Sequence, residues 1–322
     1  MSTPFTILLS AAGRRVALLR LLRADAAALG LTPRIIALDR VPHVSAACAL
    51  ADLALAAPAA TDPSFGAFLT QLCREHAVRL VIPTIDPELP TMAAIAPALR
   101  QAGTMVNISA PAAVAVARDK LSTMRALAAH GIAVPRTGTA SEAASWGAEL
   151  IAKPRGGSAS VGVRLVGAAD LAGLSDEMLV QERLVGEEYT VNMFVAGGRT
   201  VAAVPHWRRS VRAGEVEKGI TRRHPGLAAI AARLPEAVPG LDGALCFQAI
   251  DTPDGPKVFE INARFGGGFP LAHAAGAPFT RWLIAQAAGL PEAPHDDWQE
   301  GTTMLRYDEA VFGRSEDPAW HA

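Results

Sequence analysis

The sequence predicts an α/β fold in three parts: an N-terminal domain on a parallel sheet, then two α+β subdomains. Three observations predict it. Short apolar strands alternate with helical patterns as far as Ile108, the texture turns Gly- and Ser-rich after Lys153, and hairpin signals dominate beyond Gly186. The expected boundaries are residues 1–117, 118–185 and 186–322. A chain of 322 residues suits two or three packed units, and with half its residues apolar it can build a sizeable core.

In the first part, residues 5–9 read as a buried strand, and Val16, Leu18, Leu19, Leu22 and Leu29 follow at helical spacing. Residues 34–38 and 52–56 read as further strands. Residues 63–76 are helical, with Asp62 as the cap and Pro63 in the first turn. Residues 78–82 form a strand ended by Pro83, residues 89–102 a helix, and 105–108 a short strand. Strands alternating with helices in this way predict a parallel sheet covered on both faces.

A helix over 118–130, stopped by Gly131, leads into the second part. There, residues 149–153, 163–166 and 178–183 read as strands and 168–174 as a short helix. In the third part, strands 189–195 and 200–205 flank Ala196-Gly197-Gly198-Arg199, and strands 245–251 and 257–262 flank Asp254-Gly255, both hairpin signals. Helices are predicted over 225–234, 270–275 and 279–288, and a last strand over 303–307.

Composition narrows the function. The net charge is −1, so no basic excess serves nucleic acid or a membrane surface. Cys48, Cys73 and Cys246 are odd in number and lack metal-type spacing, which fits a reducing cytoplasm. The N-terminus has no signal-peptide pattern. The most apolar stretch, 44–60, is broken by Asp52 and Pro58 and is no membrane span.

Three segments carry chemistry. The first runs Lys153-Pro-Arg-Gly-Gly-Ser-Ala-Ser-Val-Gly162, a strand ending in lysine and entering a loop of small residues. Such a loop lets backbone N–H groups approach phosphate oxygens while the lysine adds a point charge; it lacks the P-loop spacing. The second, Val180 to Glu188, is an apolar strand followed by a glycine and carboxylates, and reads alone as a solvated strand end. The third is Phe259-Glu-Ile-Asn-Ala-Arg-Phe-Gly-Gly-Gly268. Alternate side chains on a strand share a face, so Glu260 and Asn262 point the same way, with Arg264 following if the strand continues. Two oxygen donors beside a guanidinium suit magnesium on a triphosphate. On the facing strand, Gln248 is the better third contact and Asp251, near the turn, the other.

Together and in this order, the three segments resemble the ATP-grasp superfamily, and within it the carbamoyl-phosphate-synthase-like members. The resemblance spans Ile7 to about Gly289. It implies a preATP-grasp domain over 1–117, a lid over 118–185 and a catalytic subdomain over 186–322, with ATP and Mg2+ (or Mn2+) as cofactors. It places Lys120 and Lys153 on the phosphates, Gly157, Ser158 and Ser160 in the covering loop, and Gln181 at the adenine amine. Glu182 and Leu184 offer backbone groups, and Glu188 holds the ribose. Glu260, Asn262 and Gln248 bind metal, and Arg264 and Lys153 serve catalysis. Departures from the family pattern are Ala263 in place of a frequent proline, an amide at Gln248, and a loop with fewer glycines. With one such unit, full carbamoyl phosphate synthesis is not expected.

The implied activity is an ATP-dependent carboxylate–amine (or thiol) ligase. Alternatives are an enzyme activating bicarbonate as carboxyphosphate, and a non-catalytic nucleotide-binding regulator. An NAD-dependent oxidoreductase lacks the glycine fingerprint. The substrates, small-molecule carboxylate and amine, are less legible. Arg14 follows the first strand, Asp86 and Glu88 follow the fourth, and Arg212 lies in a basic stretch. For Asp86 and Glu88, capping the helix that begins at Leu89 is an equal reading. The apolar faces of the N-terminal helices would permit a homodimer.

Overall fold

The computed structural model describes residues 4–147, 149–157 and 162–313. Two compact units divide the chain. The first comprises Met1–Ile108, Gly276–His295 and Arg306–Ala322; the second comprises Ser109–Ala275 and Asp296–Leu305.

The first unit is built on five parallel strands: β1 (Phe5–Leu9), β2 (Pro33–Asp39), β3 (Leu53–Ala56), β4 (Val78–Ile82) and β5 (Met105–Val106). Their order in the sheet is β3-β2-β1-β4-β5. β1 is buried along its whole length, as a central parallel strand covered on both faces must be. Helices Val16–Ala28, Phe65–Glu75 and Leu89–Gln101 connect these strands. The helix Phe279–Ala288, expected with the third part, belongs to this unit, where it packs on helix Val16–Ala28 and on β4.

The second unit holds two antiparallel sheets. The helix expected over 118–130 is Lys120–Ala129, and a further helix, Pro111–Arg118, precedes it; Asp119 between them leaves helical geometry and caps the later one through Ser122 N (2.9 Å). The small sheet contains β6 (Thr137–Gly138), β7 (Leu150–Pro154), β8 (Arg164–Val166) and β9 (Met178–Glu182), in the order β6-β9-β7-β8. Ala143, Leu150, Ala152, Val166, Leu171 and Val180 form its core.

The large sheet runs β14-β13-β10-β11-β12-β15. Its strands are β10 (Glu187–Ala196), β11 (Arg199–Arg212), β12 (Glu215–Thr221), β13 (Gly243–Thr252), β14 (Gly255–Asn262) and β15 (Thr303–Leu305). The β10–β11 turn places Gly197 and Gly198 at φ +58° and +72°, the left-handed pair a two-residue hairpin needs. β11 runs seven residues past Pro205, where the sequence pattern ends it, and β12 is an added strand. Proline is tolerated there because its carbonyl accepts from Arg222 N, just beyond the end of β12. Its missing N–H faces the same side, so no ladder bond to β10 is lost.

Candidate active site

Strand register builds the site on one face of the large sheet. Gln248 stands opposite Glu260, Cys246 opposite Asn262, Thr190 opposite Gln248, and His206 opposite Thr190. Direct antiparallel partners share a face, as do residues two apart. Glu188, Thr190 and Asn192, His206 and Arg208, Gln248, and Glu260 and Asn262 therefore form a continuous polar surface. Asp251 falls on the other face and pairs with His224 (3.1 Å), so Gln248 is the neighbour of Glu260.

The β13–β14 register slips at Phe259, which lies between the partners of Gln248 and Ala249. A bulge of this kind turns backbone groups out of the ladder, and the Phe259 carbonyl accepts from Lys153 Nζ at 3.5 Å. Lys153 is buried at the end of β7, its ammonium 5.4 Å from the Phe259 ring centre. Burial pushes its amine down to about 8; Glu260 opposes that shift and Lys120 adds to it.

Lys120 begins its helix because Asp119 caps it, and its backbone N–H donates to Arg155 O. Its Nζ pairs with Glu260 Oε1 (3.2 Å) and donates to Gly157 O (2.5 Å). Arg155 in turn pairs with Asp119 (2.5 Å), so the start of the loop after β7 is tied to this helix. Ser158 and Ser160 lie outside the described residues. Arg264, buried, donates to Asn262 Oδ1 (3.0 Å) and Phe265 O (3.1 Å).

At the other end of the face, Glu188 pairs with Arg208 (2.5 Å). Burial pushes the Glu188 carboxyl up, Arg208 pulls it down, and Glu260 adds to the rise, leaving it above its ordinary value. Arg208 also donates to Gly214 O (2.8 Å). In the amide orientation that gives both ends of Gln248 a partner, its Nε2 donates to Glu260 Oε2 (2.9 Å) and its Oε1 accepts from Arg208 (2.7 Å). Arg208 is thus a site residue that the sequence pattern hides. Its signal is parity with His206 once β11 continues beyond Pro205.

Gln181 is buried on β9 and donates to Thr137 Oγ1 (2.8 Å). The Glu182 N–H is bonded to Arg136 O (3.0 Å). Burial pushes the Glu182 carboxyl up, but bonds from Lys257 and the Arg136 backbone bring it below its ordinary value. Leu184, half-buried, lies between β9 and β10.

The substrate candidates are dispersed. Arg212 sits at the exposed β11–β12 turn and pairs with Glu217 (3.3 Å), four residues along from Arg208. In the first unit, Arg14 is exposed after β1 and Asp86 opens a short 3₁₀ turn. Glu88 is buried and ties loops together, accepting from Ser10 Oγ (2.5 Å), Thr84 N (2.6 Å) and Ile85 N (3.0 Å). These bonds occupy both carboxylate oxygens and tie down the start of the 3₁₀ turn; the side chain makes no cap bond to the helix that begins at Leu89.

Among the described residues no group of three or more His, Cys, Asp or Glu side chains is placed to hold a metal ion. Glu260, Asn262 and Gln248 supply one carboxylate and two amides. Such a set holds a hard cation only weakly by itself, and fits magnesium delivered on phosphate oxygens, which complete its shell.

The parallel-sheet unit and the two antiparallel sheets have the fold of ATP-grasp proteins. More particularly, residues 175–310 match the family described as ATP-grasp in the biosynthetic pathway with Ter operon, and residues 7–107 match the PylC-like N-terminal domain. Solved structures agree in fold. The biotin carboxylase domain of Hydrogenobacter thermophilus 2-oxoglutarate carboxylase, in complex with MgADP, ADP and bicarbonate, superimposes with a TM-score of 0.71 at 15% identity, over 94% of this chain and 74% of that one. An L-amino acid ligase from Bacillus licheniformis gives 0.70 at 16% identity, over 94% and 79%. N5-carboxyaminoimidazole ribonucleotide synthetase from Thermotoga maritima gives 0.65 at 19%, over 91% and 78%. No curated protein matches the sequence. No helix among the described residues is long and apolar enough to cross a membrane.

Proposed function

We propose that this protein is an ATP-dependent ligase that activates a small carboxylic acid as an acyl phosphate and couples it to an amine or similar nucleophile. One observation carries the reading: Lys120, Lys153 and Arg264 converge with Glu260 and Asn262 around one polar sheet face. That is a cationic set facing a hard-oxygen pair, which a triphosphate with its cation satisfies jointly.

In the proposed reaction a carboxylate oxygen of the substrate attacks the γ-phosphorus, and the bond to the β-phosphate oxygen breaks to release ADP. The amine then attacks the acyl carbon, phosphate leaves with the bonding electrons, and the amine proton passes to solvent. Phosphoryl transfer needs positioning and charge neutralisation more than covalent help. Lys120, Lys153 and Arg264 supply the neutralisation, and Lys153, with its lowered pKa, recovers its full charge beside a phosphate. Glu260, Asn262 and Gln248 hold magnesium, which supplies Lewis-acid stabilisation of the phosphate oxygens when bound. Gln181, Glu182, Leu184 and Glu188 receive the nucleoside. The lid is assigned to 118–185, and the substrates are a small-molecule carboxylate and an amine.

A second reading, with bicarbonate as the acid, is favoured by the structural likeness to a domain bound to MgADP and bicarbonate. ADP release with MgATP separates the two, measured against pools of amino acids, other carboxylates and bicarbonate. A coupled product with one acid establishes the ligase, and stimulation by bicarbonate alone establishes carboxyphosphate chemistry. Glu260→Gln and Lys153→Ala are each expected to abolish ADP formation with an intact melting transition; full activity in both variants overturns the site.

A further inference from the structure

The polar contacts of the second unit form one unbroken chain across the sheet face. Glu188 on β10 pairs with Arg208 on β11 (2.5 Å), and Arg208 donates to Gln248 on β13 (2.7 Å). Gln248 donates to Glu260 on β14 (2.9 Å), Glu260 pairs with Lys120 (3.2 Å), and Lys120 donates to Gly157 O beyond β7 (2.5 Å). The chain joins the carboxylate assigned to the ribose with the carboxylate assigned to the cation.

Within this chain Gln248 is the link with a direction. A guanidinium has donors and no acceptor, so Arg208 fixes the amide oxygen on its own side and leaves the NH2 end toward Glu260. In that orientation a cation beside Glu260 meets amide hydrogens, whereas magnesium and manganese require oxygen. Arg208 is itself held, buried, with its second terminal nitrogen on Gly214 O (2.8 Å).

We infer that Arg208 is a positioning residue that couples the sugar end of the nucleotide site to the cation end, by setting which end of the Gln248 amide faces Glu260. The inference rests on the ATP-site reading above. Ribose hydroxyls that engage Glu188 compete with Arg208 for that carboxylate and loosen its hold on Gln248. The amide can then rotate and present its oxygen toward Glu260. Coupling of this kind is reciprocal: whatever the sugar does for the cation, the cation does for the sugar.

Adenosine tests this, because it carries the ribose but no phosphate to ligate the ion. Mn2+ binding is titrated by loss of the free-ion electron paramagnetic resonance signal, with and without saturating adenosine. In the wild-type protein adenosine is expected to tighten Mn2+ binding by about fivefold or more. Arg208→Gln and Arg208→Lys are expected to bind adenosine still but to lose the tightening, since an ammonium keeps the charge without the two-armed fork. Should Arg208→Gln fail to fold by thermal melting, Arg208→Lys carries the test. The inference is overturned if adenosine binds the wild type without changing Mn2+ affinity, or if the tightening survives in the folded variants. Failure of the wild type to bind either adenosine or MgADP overturns the ATP-site reading itself.

Discussion

At the scale of single residues, Lys153 carries an unfavourable burial of charge that a phosphate partner in the proposed site would relieve. Burial holds its amine near 8, against an ordinary 10.5, so between these values the folded protein carries fewer protons than the unfolded chain. Stability rises with pH wherever the unfolded state binds more protons, so the penalty is full below pH 8 and fades as the pH climbs toward 10.5. Lys153→Met removes the ammonium and keeps most of the stem. It is expected to stabilise the nucleotide-free protein at pH 7 by on the order of 3 kcal/mol, and by progressively less at higher pH, in urea titrations, while ATP turnover is lost. An unchanged midpoint at pH 7 would show that the charge is already solvated. Glu260 and Asn262 could be paired in the sequence because strand alternation alone puts them on one face, and Lys153 stood out as a lysine closing a strand before a loop of small residues. Arg208 was not, because the proline three residues before it is an ordinary strand breaker, and only the end of β12 makes that proline harmless.

At the scale of elements, the join between β9 and β10 is a close backbone approach. A methyl group on Gly186 would lie 1.9 Å from the carbonyl oxygen of Asp251 on β13, an atom fixed by the sheet. Gly186→Ala therefore forces β10 away from β13 at the end that carries Glu188. The expected loss is about 1–3 kcal/mol, as for other overpacked sites, read from the urea midpoint and accompanied by weaker MgADP binding. Wild-type stability and affinity in this variant would mean that the join yields without moving Glu188. The sequence marks this glycine as a passage between subdomains, and the structure adds the physical reason. β12 was illegible for a different cause: Glu215, Glu217 and Lys218 obscure its apolar residues, and pairing with β11 and β15 sustains it.

At the scale of the whole molecule, the chain leaves the first unit after Ile108, builds the second as far as Ala275, and returns to the first with Gly276–His295. The parallel order of β1 to β5 was readable from strand–helix alternation, but the destination of helix Phe279–Ala288 was not. Its apolar residues say that it is buried and leave open against which surface. Within the first unit the answer is specific: Thr280 donates to the buried carboxylate of Asp25 on helix Val16–Ala28 (2.5 Å), and Arg79 on β4 donates to Ala287 O (3.1 Å). Removing the hydroxyl takes a partner from a buried acceptor, which costs about 1–3 kcal/mol. Thr280→Val, close to isosteric, is therefore expected to lower the urea midpoint of the first unit by that amount and to leave MgADP affinity in the second unit unchanged. A loss of nucleotide affinity alongside the midpoint would mean that the returning helix also governs the site. An unchanged midpoint would mean that Asp25 finds another donor, and that the helix is held by its packed Phe279, Trp282 and Ile284 alone.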